Sequence, residues 1–145
     1  NEKIFTGDYQ VNQISPGWYP QVVLVNESGL YQKNGVLLRV KPDGTSTLIE
    51  TLNAAAETAM NMRQFPLDRH RLEAVFAVLG LDKDEVILQV EAEVPSELAR
   101  EVRVPQWSVK EISTSGRDFP AVSTDSRGVS SALVLRNLCT NPLRW

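Results

Sequence analysis

Short segments of β-branched or alternating apolar character dominate this chain, and where they alternate the period is near two, the spacing that places every second side chain on one face of a strand. Segments of this kind, rich in Val, Ile and Leu, fall at residues 22–26, 36–41, 45–52, 69–79, 86–94, 103–112 and 129–138. Turn formers separate most of them: Asn26-Glu27-Ser28-Gly29, Asn34-Gly35, Pro42-Asp43-Gly44, Ser115-Gly116-Arg117-Asp118 and Ser126-Arg127-Gly128. Pro42-Asp43-Gly44 has a clear mechanism as a hairpin turn, because proline presets φ and glycine accepts the positive φ that a tight turn needs. Short strands at this spacing predict an all-β chain, an antiparallel immunoglobulin-like sandwich forming a single domain over residues 1–145.

Three stretches depart from the pattern. Residues 51–63, with Ala54, Ala55, Ala56 and Met60, are rich in strong helix formers, and propensity alone leaves helix and strand both open there. Ser96 could cap one helical turn over residues 96–100, or that stretch could stay an irregular loop. Residues 1–17 alternate only weakly and contain no strong strand, so they read as a loosely structured lead-in.

Composition narrows the function classes. A length of 145 residues suits one core, and a formal charge of −3 gives no reason to expect nucleic acid, which selects for clustered Lys and Arg. The lone cysteine, Cys139, excludes an intrachain disulfide, and the lone histidine, His70, leaves no His/Cys metal cluster. No apolar run approaches the ~20 residues that cross a bilayer as a helix. Asp82, Asp84 and Glu85 lack the glycine and distal glutamate of an EF-hand and read as a solvated turn. No phosphate-binding glycine loop, dinucleotide fingerprint or hydrolase elbow is present, so neither an enzyme nor a cofactor is expected.

Two motifs carry more. Trp18-Tyr19-Pro20 runs into the apolar strand that ends at Asn26, and Phe65-Pro66-Leu67-Asp68 follows later in a β-rich context. In this order they resemble the extracellular ligand-binding domain of pentameric ligand-gated ion channels, the Cys-loop receptor superfamily, with its W-x-P, its asparagine-ended strand and its F-P-F-D loop. The resemblance places the two half-cystines of eukaryotic members at Thr58 and Leu72, which looks like the prokaryotic branch. Asp82 and Val86 fit the segment after the next strand. Pro105-Gln106-Trp107-Ser108-Val109 is similar to a late strand of the family, and Asn141-Pro142-Leu143 to the link before the first membrane helix. It also puts most of residues 51–63 in a strand.

The resemblance implies a small-molecule ligand bound between subunits of a homopentamer, a transmembrane pore domain following residues 139–145, and an extracellular or periplasmic location. It implies a chain truncated at its start, since family members carry a helix and further strands before W-x-P. Carried over residue by residue, Val25 and Asn26 fall in the first binding loop, Leu79 and Leu81 in the second, and Phe119 in the loop between the last two strands. Arg39, Thr47 and Ile49 fall on the opposing face. Aromatic places of amine receptors are held by Val25, Leu79 and Leu81, so an anionic or carbonyl-bearing ligand suits an arginine-bearing site better than a quaternary amine. Phe65, Pro66, Leu67 and Asp68 form the loop that would couple binding to the pore.

Plainer readings stand beside these. Trp18 and Trp107 read as sandwich core, Arg39 and the basic run Arg69-His70-Arg71 as solvated strand faces, Asp68 as a local backbone cap, and Cys139 as a buried strand residue or a free thiol. A β-sandwich binding protein without a channel, and a structural or adhesive module, are the alternatives to a channel domain.

Overall fold

The computed structural model describes residues 3–7, 20–60, 63, 69–93, 96–97, 107–120 and 129–140. They form strands β1 (Lys3–Gly7), β2 (Val22–Leu24), β3 (Glu27–Val40), β4 (Ser46–Ala56), β5 (Arg69–Val78), β6 (Ser108–Pro120) and β7 (Val129–Thr140). Contacts within the chain gather into two units, residues 1–19 with 27–55, and residues 20–26 with 56–145. Each holds one sheet.

The first unit is a three-stranded sheet in the order β1-β3-β4. Strand β1 runs antiparallel to β3, from Lys3 opposite Val40 to Gly7 opposite Val36. It forms within the weakly alternating lead-in, because a pairing edge on β3 supplies what the local pattern lacks. β3 turns into β4 through the hairpin read from the sequence. Lys41 and Thr45 bond across it at 2.9 Å, and Gly44, at φ 89°, donates to the Lys41 carbonyl at 3.1 Å. Asp43 Oδ1 accepts the Thr45 N–H at 2.8 Å, and these hydrogen bonds hold its carboxyl below the usual carboxylate range.

Asn34-Gly35, expected to be a turn, lies inside β3. Along that strand the more enclosed positions are Tyr31 and Lys33 before it, then Val36 and Leu38 after it. A change from odd to even positions requires one extra residue, and Gly35 at φ 58° supplies the left-handed backbone of a β-bulge. β4 continues to Ala56, so the alanine-rich stretch is strand rather than helix up to that point; pairing with β3 overrides its helix propensity.

The second unit is a four-stranded antiparallel sheet in the order β2-β5-β7-β6. β5 and β7 pair from Arg69 opposite Thr140 to Ala77 opposite Ala132. Directly opposed residues share a face. One face therefore carries Val75, Ala77, Ala132 and Val134, which form a buried cluster with Val25 and Phe119 packed against it. The other face carries His70 opposite Cys139, and Leu72 opposite Asn137.

Three sequence expectations change here. Residues 86–94 form no strand where they are described. Their contact with the sheet runs through a side chain, with Ser131 Oγ accepting the Leu88 N–H at 2.9 Å in place of a backbone ladder. Ser115-Gly116-Arg117-Asp118 is not a turn but lies within β6, whose pairing with β7 continues to Pro120 opposite Val129. His70 is not on a solvated face. It is 5 % exposed, because its register opposite Cys139 turns it to the enclosed side of β5. Ser96 and Glu97 are not helical, and the rest of residues 96–100 lies outside the described residues.

Candidate functional site

Asn26, carried over as a ligand contact, is held at the end of β2 by the main chain around it. Its Nδ2 group donates to the carbonyls of Glu57 and Glu73, each at 2.8 Å, and its Oδ1 accepts the Val75 N–H at 2.9 Å. Its own carbonyl accepts the Glu57 N–H at 2.7 Å. An amide has two donors and one acceptor oxygen. All three functions here bind backbone, so Asn26 fixes the strand that presents Val25.

Val25 continues from β2 with its N–H on the Val75 carbonyl at 2.8 Å, and its half-buried side chain meets the Val75 cluster. Phe119 reaches the same cluster from β6. It sits on the strand, opposite Ser130, rather than in a loop between strands. Leu79 and Leu81 follow the end of β5. The Leu79 N–H bonds the Gln21 carbonyl at 2.8 Å, and its side chain stays 43 % exposed. Val25, Leu79, Leu81 and Phe119 thus belong to the four-stranded unit, and Val25 and Phe119 share one cluster. Arg39, Thr47 and Ile49 belong to the three-stranded unit, all on exposed positions, with Arg39 opposite Ile4. The structure divides the sequence-derived set into these two groups.

Two residues were missed by the sequence reading. The Arg117 guanidinium lies over the Phe119 ring, 5.9 Å from its centroid. Residues two apart on a strand share a face, so the signal was available once β6 was recognised as strand through this point. The resident cation already occupies the ring face that a cationic ligand would use. Arg136 donates from Nε to Glu73 Oε1 at 2.7 Å and from Nη1 to Ser115 Oγ at 3.0 Å. Glu73 opposes Arg136 directly in the β5–β7 register.

Thr58, at one half-cystine place, clasps the strand that holds the other. Its Oγ1 accepts the Glu73 N–H at 3.3 Å and approaches the Glu73 carbonyl at 3.4 Å. A side-chain hydroxyl therefore joins the two segments on which the resemblance places the half-cystines. In the three-stranded unit, Lys33 Nζ and Glu50 Oε2 meet at 3.5 Å, each side chain 17 % exposed. Burial pushes the Lys33 ammonium down and the Glu50 carboxyl up from their ordinary ranges.

Phe65, Pro66, Leu67 and Asp68 lie outside the described residues, as do Trp18, Tyr19 and residues 141–145. Cys139 is in β7 and buried. Among the described residues, no group of three His, Cys, Asp or Glu side chains is placed to hold a metal ion. Nor is any helix among them long and apolar enough to cross a membrane.

Residues 8–133 match the family model described as neurotransmitter-gated ion-channel ligand binding domain. The all-β, antiparallel character of both sheets agrees with the β-sandwich of that family. The chain is 28 % identical over 115 residues to a pH-sensitive chloride channel 2 of Anopheles gambiae, covering 76 % of this chain and 18 % of that protein. It is 28 % identical over 76 residues to a proton-gated ion channel of Gloeobacter violaceus, covering 52 % of this chain and 21 % of that protein. The chain thus spans about a fifth of the length of these relatives.

Proposed function

This chain belongs to the neurotransmitter-gated ion-channel ligand binding domain family, and on that premise we propose that it is the ligand-sensing extracellular part of a pentameric channel. The family is one of ligand-gated ion channels rather than enzymes, so the domain's work is to convert binding into a shift between closed and open arrangements. In this reading a small molecule docks between subunits, with Val25, Leu79, Leu81 and Phe119 from one and Arg39, Thr47 and Ile49 from its neighbour. A ligand biases such an equilibrium only by its difference in affinity between the two arrangements.

The observation that carries the reading is the family match across residues 8–133. The ligand class follows from Arg117 over Phe119 together with Arg39: two guanidinium groups suit a carboxylate or a carbonyl and repel a quaternary amine. Expression of the encoding gene in oocytes tests it. Small carboxylates such as acetate or succinate are expected to open a current that tetramethylammonium does not. Activation by tetramethylammonium in preference to carboxylates would overturn the ligand class, and absence of any ligand-dependent current would overturn the channel reading.

A second reading takes the proton itself as the stimulus, since one relative is named a proton-gated ion channel and the other a pH-sensitive chloride channel. Here it is favoured by the Lys33–Glu50 pair. Burial raises the Glu50 carboxyl, so acidification neutralises it while Lys33 keeps its charge below its own lowered range. The attraction across β3 and β4 is then lost at low pH. Glu50→Gln is expected to move the pH of half-activation, and an unchanged pH response in that variant removes the pair as the sensor.

A further inference from the structure

The face of the four-stranded sheet that carries His70 and Cys139 also carries two pockets. The smaller, about 160 Å³, is lined by Met60, His70, Leu72, Trp107 and Cys139. The larger, about 390 Å³, includes Thr58, Met60, Leu72, Leu135 and Asn137 in its wall. Met60 and Leu72 line both, so the two pockets adjoin across a pair of apolar side chains.

Their chemistry differs from end to end. The smaller pocket is walled by rings, sulfur and aliphatic carbon. Trp107 meets His70 edge-on, with centroids 4.9 Å apart and planes at 61°. Burial pushes the Cys139 thiol above its ordinary range, which keeps it uncharged. Rings and thioether sulfur both favour an aromatic guest. The volume suits one six-membered ring, since an apolar cavity of about 150 Å³ accepts benzene. At the other end the Asn137 amide enters the wall, and its Oδ1 is enclosed without a hydrogen-bond partner. Its terminal torsion is broad, so a small rotation can present that oxygen to an arriving donor. Glu73 also lines the larger pocket, and its carboxylate is bound to Arg136 at 2.7 Å.

We propose that the joined pockets form a binding site within one subunit for a neutral aromatic amphiphile, its ring against Trp107 and its hydroxyl or N–H donating to Asn137 Oδ1. The site is separate from the subunit-interface reading and does not depend on it.

Phenol and toluene serve as probes, having similar rings but only one of them a donor. With methionine methyl groups labelled in the chain, and Met60 assigned through Met60→Leu, phenol is expected to shift the Met60 resonance saturably. It is also expected to slow Cys139 alkylation at least about fivefold at saturation. Toluene is expected to bind about tenfold more weakly, the loss of one hydrogen bond to an otherwise unmet acceptor. Asn137→Leu should bring phenol down to the affinity of toluene. An unmoved Met60 resonance with unchanged Cys139 alkylation overturns the site. Equal binding of phenol and toluene to the unaltered chain overturns the role of Asn137, and that comparison needs no variant to fold.

Discussion

The Asn26 side chain and the Val75 main chain are joined by a 2.9 Å hydrogen bond from the Val75 N–H to Oδ1, while the Asn26 Nδ2 group holds the Glu57 and Glu73 carbonyls. One amide thus fastens the end of β2 to β5 and to the segment that follows β4. Asn26→Ala removes all three bonds and strands partly buried backbone groups, at a cost of about 2–4 kcal/mol. Asn26→Asp keeps the acceptor but turns a second acceptor oxygen onto the Glu57 and Glu73 carbonyls, and costs at least as much. Urea unfolding of the purified chain measures both; a change below about 0.5 kcal/mol for the alanine variant would contradict the clamp.

The Thr58 clasp on Glu73 makes a covalent replacement testable. Thr58→Cys with Leu72→Cys places two thiols where the segments already meet, closing a loop for which the chain-entropy argument gives about 3 kcal/mol. With Cys139→Ser removing the native thiol that lines the same pocket as Leu72, oxidation is expected to lower the mass by two hydrogens and raise the melting temperature relative to the reduced form. Two thiols that remain free under oxidant would show that the segments are further apart than the hydroxyl contacts indicate.

The hairpin at Asp43 has a pH signature. Its carboxyl is held low by hydrogen bonds from Thr45, so the folded state binds the proton less readily than the unfolded chain. The stabilisation is present above the unfolded value, about 3.9, and is lost as pH falls through the lower folded value. Asp43→Asn keeps an acceptor and removes the titration. Acid unfolding below about pH 4 should therefore be less steep in the variant; identical acid limbs would contradict the assignment.

Gly35 tests the bulge in β3. A Cβ placed there meets nothing within 4 Å, so the cost of Gly35→Ala is backbone strain at φ +58° alone. That strain is about 1–2 kcal/mol. Calorimetric melting measures it, and an unchanged or raised melting temperature would rule out the left-handed conformation.

Much of the fold was legible because its strands alternate and its hairpin uses a turn with a mechanism. β5 and β7 were readable from Val75, Ala77, Ala132 and Val134, whose side chains recur at every second position. The misreadings came from residues whose partner decides their state. Gly116 signals a turn by type, yet an intact ladder opposite Leu133 keeps it in β6. Residues 86–90 have strand composition but meet the sheet through Ser131, which no periodicity reveals. At the candidate site, Val25 and Phe119 were named from the family resemblance and pack on one cluster, whereas Arg117 was not read because the β6 strand was ended too soon. The burial of His70 was hidden by its arginine neighbours, which point to the opposite face.

The most direct test of the proposed function is the concentration dependence of carboxylate-activated current on expression of the gene that encodes this chain. If the ligand docks beside Arg117 and Phe119, Arg117→Ala raises the half-maximal concentration about tenfold or more and leaves single-channel conductance unaltered. A response unaffected by Arg117→Ala and Phe119→Ala, or a change confined to conductance, would contradict the account.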